Sequence, residues 1–94
     1  MNDTHALKIG QVVTSKAGRD KGRAFVIIEI VDHEYVKVTD GDLRRIERPK
    51  LKKVKHLNVS HMILTEIEMI LMEGKRLSNE MLRKSLEGFT FTAE

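Results

Sequence analysis

The eight residues "AFVIIEIV" (24–31) constrain this chain more than any other stretch. Drawn as an extended strand they are apolar on both faces and rich in branched side chains, with Glu29 the one polar interruption. Such a run reads as a central strand, covered above and below by other parts of the same molecule. The chain has 94 residues, enough for one domain with a modest core and too few for two. It has no cysteine, so disulfides and thiolate metal sites are excluded.

The flanks of this run supply its neighbours. In "IGQVVTSK" (9–16), Ile9, Gln11 and Val13 alternate with Gly10, Val12 and Thr14, the pattern of a half-buried strand. "DHE" (32–34) is a turn, and "YVKVT" (35–39) alternates again. "DGD" (40–42) marks a second turn, with Gly41 supplying the positive φ that tight hairpins require. "LRRI" (43–46) then reads as a short strand that Pro49 stops, because proline cannot donate to a ladder. "VKHLNV" (54–59) adds one more, and Val54, out of step with Leu57 and Val59, points to a bulge. Four or five short strands at this spacing predict a small barrel over residues 7–59.

After Asn58 the period becomes helical, predicting a helical extension over 60–94. Ser60 or Thr65 is the expected cap, and Thr65 with Glu68 has the form of a capping box. Spacing at 100° puts Ile63, Leu64, Ile67, Ile70 and Leu71 on one face and gathers Met62, Met69 and Met72 on another. Gly74 is the expected stop, Ser78 caps a second helix with a Leu77–Leu82 staple, and Gly88 ends it. The second helix, through Met81, Leu82 and Leu86, is expected to cover the methionines in a helical hairpin. The alternative is an adaptable docking surface for a protein partner. The fold class is therefore α+β, a β-barrel followed by a helical hairpin.

Charge follows the same division. Residues 1–59 hold thirteen Lys or Arg against eight Asp or Glu, a balance of +5, whereas residues 60–94 hold four against six, a balance of −2. Within the first part, "RRIERPKLKKVK" (44–55) has seven basic residues and one acid, the footprint of a polyanion-binding arm. A second basic segment, "GRDKG" (18–22), stands between two strands. Its glycines permit sharp turning and close approach of main-chain N–H groups to a ligand, while Arg19, Lys21 and Arg23 bring charge. The plainer interpretation is a strand connection whose charges are merely solvated. It is not a nucleotide-binding P-loop, since the order is Lys-Gly and no helix follows.

The stretch "IGQVVTSKAGRDKGRAFVIIEIVDHEYVKVTDG" resembles a KOW motif, the short RNA-binding unit of several ribosomal proteins and transcription elongation factors. With the continuation "LRRIERPKLKKVKHLNVS" it is similar to the KOW proteins of the eukaryotic and archaeal large ribosomal subunit, over residues 8 to 60. The resemblance implies an SH3-like barrel and contact with ribosomal RNA or the large subunit. Gly18, Lys21 and Gly22 match the motif loop, and Arg44, Arg45 and the lysines of "PKLKKVKHL" match the arm. Ala24 and Phe25 stand where many elongation-factor units have a further glycine, which points away from transcription. The RNA-binding set expected from loop and arm is Lys16, Gly18, Arg19, Lys21, Gly22, Arg23, Arg44, Arg45, Arg48, Lys50, Lys52, Lys53 and Lys55.

Other chemistries find little support. Three Phe, one Tyr and no Trp leave little for base stacking, so folded RNA recognised by shape and backbone fits better than single-strand readout. Phe25 belongs to the core by pattern, while Tyr35 lies on the more polar face of its strand. His5, His33, His56 and His61 lack the spacing of a zinc pair, and Ser15, Ser60 and Ser78 have no evident base, so neither an enzyme nor a cofactor is expected. "MNDTHALKIG" lacks a basic leader and an apolar stretch, and no run is long enough for a bilayer, which makes a cytoplasmic protein without membrane contact the expectation. The competing reading is a protein-interaction module that docks through the barrel or the Met-rich helices.

Overall fold

The computed structural model describes residues 7–87 and arranges them as five strands followed by two helices. The strands are β1 (Gln11–Ser15), β2 (Ala24–Ile30), β3 (Tyr35–Thr39), β4 (Lys50–Lys53) and β5 (Leu57–Ile63), and the helices are α1 (Thr65–Met72) and α2 (Asn79–Glu87). All pairings are antiparallel, in the order β4-β3-β2-β1-β5, so β2 is the central strand its composition predicts. The two edge strands, β4 and β5, are joined by a single 3-10 turn, Val54–His56. A connection that short holds the sheet's two edges near each other, and the sheet curls into a small open barrel.

Alternation along β2 divides the core in two. Phe25 and Ile27 point inward with Val13, Val36, Val38, Val54 and Leu57. Val26 points outward and is equally inaccessible, because Ile67 of α1 and Leu77 and Leu82 at the start of α2 cover it. Burying one such side chain is worth about 1.5–3 kcal/mol, so the helices form a second layer of core. The two-faced burial ends early: Ile30 and Val31 are 39% and 47% exposed. The register with β3 shifts between Ile27 and Glu29, and past Ile27 the strand has no pairing with β1.

Several local expectations need correction. "LRRI" is not a strand; residues 40–49 form a loop, and the fourth strand is the basic arm itself, Lys50–Lys53. Val54 is out of step because it belongs to the 3-10 turn, and the bulge lies instead in the β1–β5 pairing between Gln11 and Val13. Ser60 absorbs that bulge, its hydroxyl donating to Val12 O at 2.7 Å and accepting from Met62 N at 3.1 Å. Strand β5 thus runs past residue 59 to Ile63. The Thr65–Glu68 capping box does not form: Leu64 is the N-cap, held by its own N–H to Gly10 O, and no side chain caps the helix. Ser78 does cap α2, accepting from Met81 N at 3.1 Å, and Leu77 and Leu82 share one buried cluster. The expected stop at Gly88 lies outside the described residues.

The methionine stripe is not covered. Met62, in β5, is 46% exposed, and Met69 and Met72 are 57% and 74% exposed because α1 turns Ile67, Ile70 and Leu71 to the core. Of the α2 residues expected to cover them, Met81, Leu82 and Leu86 pack into that core instead. The "DGD" turn is where α2 docks. Gly41 has φ +77°, and a Cβ there would lie 2.4 Å from the carbonyl oxygen of Asn79. Gly22, at φ +85°, has open space around it. Gly41→Ala should therefore cost about 2–4 kcal/mol in urea unfolding, from steric overlap added to backbone strain, and Gly22→Ala only about 1 kcal/mol. Equal losses would mean that α2 does not seat on the turn.

Candidate nucleic-acid interface

The glycine-bounded segment forms a closed loop on the end of β1 and β2. Gly22 N donates to Ser15 O at 2.8 Å, Arg23 N to Asp20 O at 2.9 Å, Lys21 N to Gly18 O at 3.3 Å, and Ser15 N to Arg23 O at 3.1 Å. The amides of Lys21, Gly22 and Arg23 are thereby engaged within the loop and are not the ones offered to a ligand. What the loop presents is side-chain charge: Lys16, Arg19 and Lys21 are exposed, and no described carboxylate lies within ion-pair distance of them.

The carboxylate at the loop's centre has the opposite setting. Asp20 is 5% exposed and accepts from Arg44 through Nε at 3.2 Å and Nη2 at 3.0 Å. Lys52 Nζ stands 3.7 Å from the same carboxylate and donates to Ser15 Oγ at 3.2 Å. A second pair crosses between the same two loops in the other sense: Arg23 Nε donates to Asp40 Oδ2 at 2.7 Å and its Nη2 to Asp42 at 3.1 Å. Asp40 also accepts the Asp42 and Arg44 amides through Oδ1, each at 2.9 Å. Burial opposes the ionisation of Asp40, but the Arg23 hydrogen bond and those amides outweigh it and hold its carboxyl below the ordinary 3.8. The same bond raises the Arg23 guanidinium.

The thirteen expected residues therefore divide. Arg23 and Arg44 lace the loop at 16–23 to the loop at 40–49, and Lys52 ties the first of them to β4. Lys52 is only 12% exposed, because the β3–β4 register pairs Lys50 with Val38 and Lys52 with Val36, on the inner side of the sheet. Leu51, 50% exposed, takes the outer side with Lys53, whose ammonium lies 5.9 Å from the Tyr35 ring centroid. Arg45, Arg48 and Lys55 are exposed, Arg45 with Glu47 at 3.9 Å. Gly18 and Gly22 supply the positive-φ corners of the loop. Asp20, Asp40 and Asn79 were missed by sequence reasoning. Asn79 accepts from Ile46 N at 2.7 Å and donates to Glu47 at 3.0 Å, and Arg83 donates to Gly41 O at 2.8 Å, so α2 also fixes the 40–49 loop. An acid in the middle of a basic loop was the one available signal for Asp20.

Among the described residues, no cluster of three or more His, Asp or Glu could hold a metal ion, and no helix is long and apolar enough to cross a membrane. His33 and Glu34 sit 3.9 Å apart on an exposed turn shaped by Asp32, whose Oδ1 accepts the Glu34 and Tyr35 amides.

Two predictions separate lacing charges from exposed ones. Arg44→Glu, which sets a second carboxylate beside buried Asp20, should cost about 1–3 kcal/mol, between the values for exposed and buried pairs, while Arg45→Glu should cost under about 0.5 kcal/mol in the same denaturation assay. The depressed Asp40 contributes stability above its unfolded pKa and loses it as pH falls through its folded one. The stability gap between wild type and Asp40→Asn should therefore narrow between about pH 5 and pH 2, read by thermal melting. A constant gap would show that ionised Asp40 contributes nothing.

No family model matches the chain. It is 30% identical over 82 residues to large ribosomal subunit protein eL14 of Methanococcus vannielii, covering 87% of this chain and 91% of that protein. The eL14 of Pyrobaculum calidifontis is also 30% identical over 82 residues, covering 86% of this chain and 72% of the relative. The eL14 of Desulfurococcus amylolyticus is 38% identical over 53 residues, 55% of this chain and 54% of its own. A match that takes in nearly the whole length of the Methanococcus protein spans barrel and helices together, and the chain belongs to the eL14 family of large ribosomal subunit proteins.

Proposed function

We propose that this protein is a non-catalytic RNA-binding component of the large ribosomal subunit, and hence a cytoplasmic one. It grips ribosomal RNA with the exposed cations of two adjoining loops. The observation that carries this reading is the separation of charges. Arg23, Arg44 and Lys52 neutralise buried carboxylates, whereas Lys16, Arg19, Lys21 and Arg48 project from a frame those pairs hold rigid. A backbone frame held in place before binding leaves less conformational freedom to lose when its cations meet phosphate. Few aromatic side chains accompany them, which favours recognition of RNA shape and backbone over stacking. Leu51 and the exposed methionines leave room for contact with neighbouring proteins of such an assembly.

Replacing Arg19, Lys21 and Arg48 with glutamine should leave the fold intact and weaken binding to a structured ribosomal RNA fragment at low salt by tenfold or more. Each phosphate contact contributes a slope of about −0.7 to −0.9 to log K against log salt in nucleic-acid model systems, so the variant's slope should flatten by about 2. Glutamine at Lys75 and Lys84, which pair with Glu73 and Glu80, should change little. Equal RNA affinity for wild type and the triple variant would sink the reading. Cosedimentation of the tagged protein with the large subunit in high salt tests permanent membership separately.

A further inference from the structure

The edge strands β4 and β5 do not pair with each other, and a cleft of about 650 Å³ opens along the seam between them. Its floor is apolar: Val54 and Leu57 are 7% and 4% exposed, and Val59 stands partly open at 38%. Its rim is cationic. Lys53 and Lys55 line it with the imidazoles of His33 and His61, and Glu34 is the single acid, with His33 Nε2 at 3.9 Å. The cleft also adjoins the basic loop, since the main-chain N–H of Lys16 donates to His56 O at 2.8 Å and Leu57 pairs with Ser15.

We propose that this seam receives one unstacked nucleotide of the bound RNA, its base against Val54, Leu57 and Val59 and its phosphates toward Lys53 and Lys55. This rests on the RNA-binding reading above. The volume lies within the range of pockets for small ligands, and an apolar floor under a cationic rim matches a base attached to an anionic backbone. A protein strand laid along the free edge of β5 would use the floor equally well, but gains nothing from two lysines unless it is acidic. Among the described residues no Phe, Tyr or Trp lines the seam, so the base is held mainly by area, with the rim imidazoles of His33 and His61 the rings at hand for stacking. Gln11 is held at the seam by accepting from Lys8 N and donating to Ser60 O, each at 2.9 Å. Purines, with more surface to bury, should therefore bind better than pyrimidines.

The test is an NMR titration of the full chain with the four 5′-mononucleotides, and with inorganic phosphate as the control. Saturable shifts in the millimolar range are expected at the amides of Lys53–His61, larger for AMP and GMP than for CMP and UMP, and absent there with phosphate. Val59→Trp, which fills the cleft, and Lys55→Glu, which reverses its exposed rim, should each weaken those shifts at least fivefold. The Arg19, Lys21 and Arg48 glutamine variant should retain them, which separates this site from the phosphate-binding loop. If mononucleotides leave Lys53–His61 unmoved, or both seam variants bind as wild type does, the proposal is overturned and the cleft is left to a protein strand.

Discussion

A strand buried on both faces over its first half must be covered twice there, and in this molecule the demand of β2 organises everything else. Phe25 and Ile27 require a barrel interior, and Val26 requires a lid. The lid is Ile67, Leu77 and Leu82, which draws both helices onto the sheet and seats the start of α2 against Gly41. Once α2 is there, Asn79 and Arg83 reach the loop at 40–49 and hold it. The apolar covering of one strand thus positions a polar surface some distance along the chain.

That surface owes its rigidity to ion pairs of a particular kind. Exposed pairs contribute little, and wholly buried ones often fail to repay desolvation. The crossed pairs Arg44–Asp20 and Arg23–Asp40 are intermediate, each with a buried carboxylate and a guanidinium still partly in water. The carboxylates collect several donors, including backbone amides, so their burial leaves no polar atom unsatisfied among the described residues. Two loops distant in sequence become one platform, and the cations left over can face outward together.

Much of the β architecture was legible because its signals are local. Alternation in "YVKVT", the apolar "AFVIIEIV" and the "DHE" turn between them each depend on neighbours within a few residues, and each led to the element observed, whereas the hairpin expected at "DGD" opened into a loop. The KOW-like stretch was legible for the same reason, and family membership agrees with it. What failed depended on distant partners. Lys50 and Lys52 look like a solvated arm until Asp20 and the β3 register turn them inward. Thr65 resembles a cap until Gly10 takes hold of Leu64. Within α1 the apolar face of Ile67, Ile70 and Leu71 was read correctly, but Met62 and Ile63 belong to β5, and which face the sheet would claim depended on Val26, some forty positions earlier. The site residues were legible as a set of charges, and their division into structural and exposed members was not.

The bonding of β1 has a consequence for the order in which the molecule is completed. All five of its residues are buried, yet one flank is supplied by β5, and the Gln11 side chain bonds a carbonyl 49 positions away. On a chain emerging from its N-terminus, β2 and β3 can zip together by a short turn, and β4 can join them across the loop at 40–49, while β1 still has an open apolar flank. That flank closes only when Ile63 has been made, and the helices follow later still. Until the flank closes, the nascent chain exposes an unpaired strand edge, the kind that flanking lysines blunt against edge-to-edge association.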